Sequence, residues 1–119
     1  MLLRASSNAS GQDVDLTSTV GKASADGVHH GDLLLQYAER ANRDPSATFN
    51  LIDEMLLAVG PNGLVEAAAT IAIFNGLVRS ADAIGIPLDD VMMSSTADHR
   101  EALGINKYTG ASQSKATET

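Results

Sequence analysis

The stretch LVEAAATIAIFNGLVRSADAIGIP, residues 64–87, constrains the fold of this chain more than any other part of it. It opens Ala-rich and apolar on nearly every side at helical spacing. A helix that is apolar all round has to be covered by something. Asn75, Arg79 and Asp82 then fall at i, i+4 and i+7, on one stripe, and Gly85 and Pro87 end the pattern. Polar side chains inside such a helix must satisfy one another or a partner, because an unpaired buried charge is too costly to keep. The β-branched residues Thr70, Ile71 and Ile73 do not make this a strand, since they sit in a helix-period run flanked by Ala.

Three further helical signals surround that segment. Asp32 is placed to cap a helix over residues 32–42, with Leu33, Leu34, Tyr37 and Ala41 along one face. Asp44-Pro45 reads as an N-cap followed by proline at the first helical position. The helix it opens would bury Ile52, Met55, Leu56 and Val59 and end at Gly60. Pro61-Asn62-Gly63 reads as a turn, so the long helix is expected over residues 64–84 with Glu66 in its first turn, where the helix dipole favours a carboxylate. After Pro87 a weaker pattern over residues 88–103 breaks at Ser94-Ser95-Thr96, which predicts two short helices or one irregular one, with Thr96 capping a helix that opens at Ala97. No segment alternates at strand period. The expected class is all-α, a small bundle of about four helices over residues 31–109.

Residues 1–30 are rich in Ser, Ala, Gly, Asp and Thr without a sustained period. They read as a flexible polar arm with one short ordered piece at residues 14–20. Residues 110–119 share that composition and read as a disordered tail. A helical domain of this size is marginal alone, burying about 60% of its unfolded surface. With two Tyr, two Phe and no Trp, its core must be aliphatic, and small cores of that kind gain burial by oligomerising.

Charge and composition exclude several function classes. The formal charge is −7 and the eight basic residues are scattered, which argues against nucleic acid. There is no cysteine, so disulfides, thiolate chemistry and Cys-ligated metals are absent. The start, MLLRASSNASG, is too short in apolar residues for a signal peptide. No uninterrupted run approaches the roughly 20 apolar residues of a bilayer span. The expectation is a soluble, cytoplasmic protein with no membrane partner and no cofactor.

With these residues in view, the chain resembles the C-terminal half of the AhpD-like / carboxymuconolactone decarboxylase-like superfamily. LLQYAERANRDP, residues 34–45, and IAIFNGLVRSADAIGIPLD, residues 71–89, carry the resemblance, with a weaker echo in LGINKYTGA, residues 103–111. Val78 stands where relatives commonly carry Asn. The resemblance implies an all-helical fold assembled as trimers or hexamers. In the peroxidase branch it also implies a Cys-x-x-Cys-x-x-x-His motif on the preceding helix, in which a low-pKa thiolate attacks peroxide and a second thiol resolves it. His30-Gly31 stands where the motif's His-Gly would fall, yet Ala23 and Asp26 occupy the two cysteine positions. Alignment on His29 puts Lys22 and Ala25 there instead. Thiol peroxidase chemistry therefore needs an external thiol. The expected protein is a degenerate or truncated relative. One alternative is a cysteine-independent, decarboxylase-like enzyme acting on a small carboxylated or lactone substrate. Another is a protein-interaction module built on the acidic chain and its arms.

Asn75, Arg79 and Asp82 read as a structural polar network that fixes packing or an interface, or as an anion pocket with Arg79 binding and Asp82 orienting it; the structural reading is favoured. His30 and Arg79 are the catalytic candidates of the enzymatic alternative, with His30 as general base. His29 and His30 lie near Asp26 and Asp32, which makes a two-His-plus-carboxylate metal site conceivable. Adjacent helical side chains point about 100° apart, however, and share one ion poorly. For the same reason Asp53-Glu54 and Asp89-Asp90 are not catalytic dyads. Met55, Met92 and Met93 read as core filler.

Overall fold

The computed structural model describes residues 2–11, 14–25 and 27–114. In chain order it contains α1 (Leu2–Ser10), a 3-10 segment Leu16–Val20, α2 (Gly31–Arg43), a 3-10 segment Pro45–Leu51, α3 (Ile52–Ile84), α4 (Asp90–Ser95), α5 (Ala97–Leu103) and 3-10 segments Ile105–Lys107 and Thr109–Ser114. Among the described residues there is no strand, so the protein is all-α, with five α-helices where about four were expected.

The helix starts follow local chemistry. Asp44 caps the Pro45–Leu51 segment: its Oδ1 accepts from the Ser46 amide at 3.0 Å and the Ser46 hydroxyl at 2.6 Å. The Ser46 hydroxyl, then the Ser46 amide, hold the Asp44 carboxyl below its ordinary pKa by favouring its charged form. Asp32, expected as the cap of α2, is not at the cap. His30 occupies that position, and Asp32 lies in the first turn, reaching back to accept from the Ala25 amide at 2.8 Å. The chain crosses itself closely there. A Cβ on the buried Gly31 would come within 2.4 Å of the Ala25 carbonyl oxygen, so only glycine lets α2 begin at this point.

α3 is bent at Gly60, whose φ of 72° and ψ of 175° belong to a region essentially reserved for glycine. The extended ψ suits the residue before a proline, and Pro61 then takes the first position of the second half. Pro61-Asn62-Gly63, expected as a free turn, is therefore the first turn of helix. Pro61 loses nothing there, because its missing N–H would have had no intrahelical partner. Glu66 accordingly lies beyond the first turn rather than in it. At the other end Gly85 is left-handed, with its amide on Asp82 O at 3.3 Å and that of Ile86 on Ala81 O at 3.1 Å, so the helix stops where the sequence placed its end.

The core is small. Tyr37, Leu51 and Met55 are buried, Met55 completely, and Leu33, Leu34, Val59, Leu64, Ala67 and Ile71 pack around them. This joins one face of α2 to both halves of α3. Arg40 clamps the corner, donating to Asn50 Oδ1 at 2.5 Å, Gln36 Oε1 at 2.8 Å and Ala47 O at 3.3 Å. Leu56, expected inside, is 40% exposed and is not among the residues packed on that core.

Residues 2–20, read from sequence as an arm with one ordered piece, carry α1 and the Leu16–Val20 segment, whose Leu16 is buried together with neighbouring Val14. This segment packs on α5, and Lys22 Nζ donates to Ala102 O at 3.2 Å. Of the expected tail, Thr109–Ser114 is 3-10 helix, and residues 115–119 lie outside the described residues. Thr96 stands at the start of α5 as expected. Its hydroxyl does not cap that helix, however; it donates back to Met92 O at 2.6 Å and accepts from Arg100.

Candidate functional site: a bare helix and the cavity at its end

The polar stripe of α3 is dispersed rather than joined. Asn75 donates to Asn42 Oδ1, linking α3 to the end of α2. Arg79 is exposed, and among the described residues no hydrogen bond or ion pair connects it to Asn75 or Asp82. The costly buried charges anticipated from sequence do not arise, because this part of α3 faces outward in the single chain.

His29 and His30 are both exposed. Their rings lie 3.9 Å apart between centroids, tilted by 53°. His30 has φ 55°, a left-handed conformation uncommon for a residue with a side chain, and it marks the tight entry into α2. Among the described residues no group of three or more His, Cys, Asp or Glu gathers in metal-binding range; Asp26, the nearby carboxylate considered for such a site, lies outside them.

The apolar surface of α3 is largely uncovered. Leu57 is 90% exposed, Val65 67%, Ile73 60%, Leu77 63% and Ile84 74%, with Phe74 and Val78 also more than half exposed. The accessible surface of the chain is 8635 Å², whereas a compact fold of this mass has about 6,100 Å². The radius of gyration, 16.2 Å, likewise exceeds the roughly 13.5 Å of a compact domain of this length. Within Pro45–Ile84 an 18-residue window has mean hydropathy 1.5 and is 0% buried, long and apolar enough by length and composition to cross a membrane. The sequence holds no unbroken apolar run of that length, because Pro61, Asn62 and Glu66 interrupt it without erasing its average.

At the C-terminal end of α3 lies a cavity of about 470 Å³, within the range of small-molecule sites. Its apolar walls include Val78, Leu88, Met93 and Ile105; its polar groups include Asp82, Arg100, Asn106 and Tyr108. Asp82 is thus the member of the predicted stripe that lines this cavity, and His30 and Arg79 are not among the residues lining it. Arg100 was missed by sequence reading because the weak pattern after Pro87 gave it no neighbours. The available signal was a lone arginine in a short helix, with Met93 before it and Ile105 after it.

Arg100 is held in place by its own segment. Its Nε donates to Asn106 Oδ1 at 3.2 Å, and Nη1 donates to Met92 O at 3.4 Å and to the Thr96 hydroxyl. A second, shallower depression lies where Asn42 meets Thr70, Ile71, Phe74 and Asn75. Compared with known proteins, the chain matches no family model, no curated protein and no solved structure.

Proposed function

We propose that the protein is a self-assembling, non-redox helical protein related to the AhpD-like group, in which copies of the chain cover α3 for one another. The observation that carries this reading is the bare apolar face of α3. The chain exposes roughly 2,500 Å² more than a compact fold of its mass, and obligate interfaces bury about 2,000–5,000 Å² in total. The excess is of the size that such an interface needs, and the exposed Leu57, Val65, Ile73, Phe74, Leu77 and Ile84 of α3 supply apolar side chains for it. The absence of cysteine from the sequence supports the non-redox part, since peroxide attack in that group depends on a thiolate.

A second copy covers α3 better than lipid does. Glu66 lies inside the apolar stretch of α3 that a bilayer core of about 30 Å would have to enclose. A charge costs about 2.5–3.5 kcal/mol at the bilayer centre. An interface between copies can leave it at its rim.

Light scattering at micromolar concentration tests the reading, with a mass several times 12.4 kDa as the expected result. A folded monomer, or partition of the chain into lipid vesicles, overturns it. Peroxide consumption in the absence of added thiol should stay at the buffer rate.

A further inference from the structure

The cavity at the end of α3 holds two opposite charges that do not meet. Among the described residues, the Asp82 carboxylate accepts no hydrogen bond, and no ion pair joins it to Arg100. The three bonds of Arg100 use Nε and Nη1, which leaves Nη2 without a hydrogen-bond partner. Those bonds also fix the guanidinium before any ligand arrives, so ordering it adds little to the cost of binding. The same cavity is lined with hydrocarbon from Val78, Leu88, Met93 and Ile105.

From this arrangement we infer that the cavity binds a small zwitterion with an apolar body, the chemistry of a free aliphatic amino acid. The carboxylate lies against Nη2 of Arg100, a charged N–H donor that suits that group. The ammonium lies against Asp82, and the hydrocarbon part covers the apolar wall. A ligand with only an anionic group leaves Asp82 unpaired and meets a chain of net charge −7. One with only a cationic group leaves the guanidinium edge unpaired. Opposite charges held apart select a ligand whose own charges are held apart, because only such a ligand gains an attraction at both groups.

The test is calorimetric titration of the full chain with leucine, with isocaproate, which lacks the ammonium, and with isoamylamine, which lacks the carboxylate. Leucine is expected to bind saturably, and each single-charge analogue about tenfold more weakly or worse, a difference of about 1.4 kcal/mol. Asp82→Asn, at an exposed position, should keep the helical circular dichroism and bring isocaproate level with leucine. Arg100→Gln should remove leucine and isocaproate binding alike; because Arg100 also braces Thr96 and Met92, its helicity is checked alongside, and the Asp82 variant carries the test if it unfolds. Isocaproate binding as tightly as leucine to the unaltered protein, an Asp82→Asn variant with unchanged selectivity, or no saturable binding of leucine at tens of millimolar would each overturn the inference.

Discussion

The two faces of α3 have similar side chains and opposite surroundings. Met55 and its neighbours Leu51 and Val59 meet Tyr37, Leu33 and Leu34 of α2, and a small sealed core results. Ile73, Phe74, Leu77 and Val78 are no less apolar, yet each is more than half exposed. The difference is one of supply. α2 is a single helix of 13 residues, about 20 Å long, and it can cover only one side of α3, whose 33 residues make it about two and a half times as long. Hydrophobicity states that a face must be buried; it does not name what buries it.

The sharpest way to break this comparison is to charge the open face. Ile73→Asp combined with Leu77→Asp, one turn apart, should remove about 3–6 kcal/mol of association from two buried aliphatic side chains and leave helicity intact. Sedimentation should then report a single 12.4 kDa chain. If the pair unfolds the protein in place of dissociating it, the open face belongs to the fold of one chain. On the sealed face, Met55→Ala should destabilise by about 2–5 kcal/mol, because a fully buried side chain leaves a cavity; urea unfolding measures it. Leu57→Ala, at a 90% exposed position, is the matched control and should change stability by under about 0.5 kcal/mol unless the partner covers it.

Gly60→Ala probes the bend between the halves. No atom lies within 4 Å of the missing Cβ, so the cost comes from the backbone conformation alone, about 1–3 kcal/mol, and should appear as a lowered thermal midpoint. The smallest effect belongs to Asp44. Its carboxyl is held below its unfolded value by Ser46, so the stability it contributes is present above the unfolded pKa, about 3.9, and is lost as pH falls through the folded value. Stability should therefore decline on acidification below about pH 4, and Asp44→Asn should make that part of the profile shallower.

What the sequence disclosed was local. The Asp44-Pro45 start, the stop at Gly85, the break before Ala97 and the α2 face carrying Tyr37 all rest on contacts within a few residues, and each is present in the fold. The start of α2 was misplaced because its capping position is set by a crossing with Ala25, seven residues before Asp32. The polar stripe was read as a unit because its spacing is helical. Spacing fixes a shared side, however, and not a shared partner. Asn75 found Asn42, thirty-three residues away, and Asp82 joined a cavity with Arg100. Neither pairing leaves a periodic trace.

The bend at Gly60 also decides which way the second half of α3 looks. At 3.6 residues per turn, an unbroken helix would aim Leu64 and Ile71 about 160–180° away from Met55. Both nonetheless pack with Met55 against α2. The glycine therefore acts as a phase shifter, rotating the downstream azimuth by close to half a turn so that one short helix can grip two stretches whose apolar stripes would otherwise lie back to back.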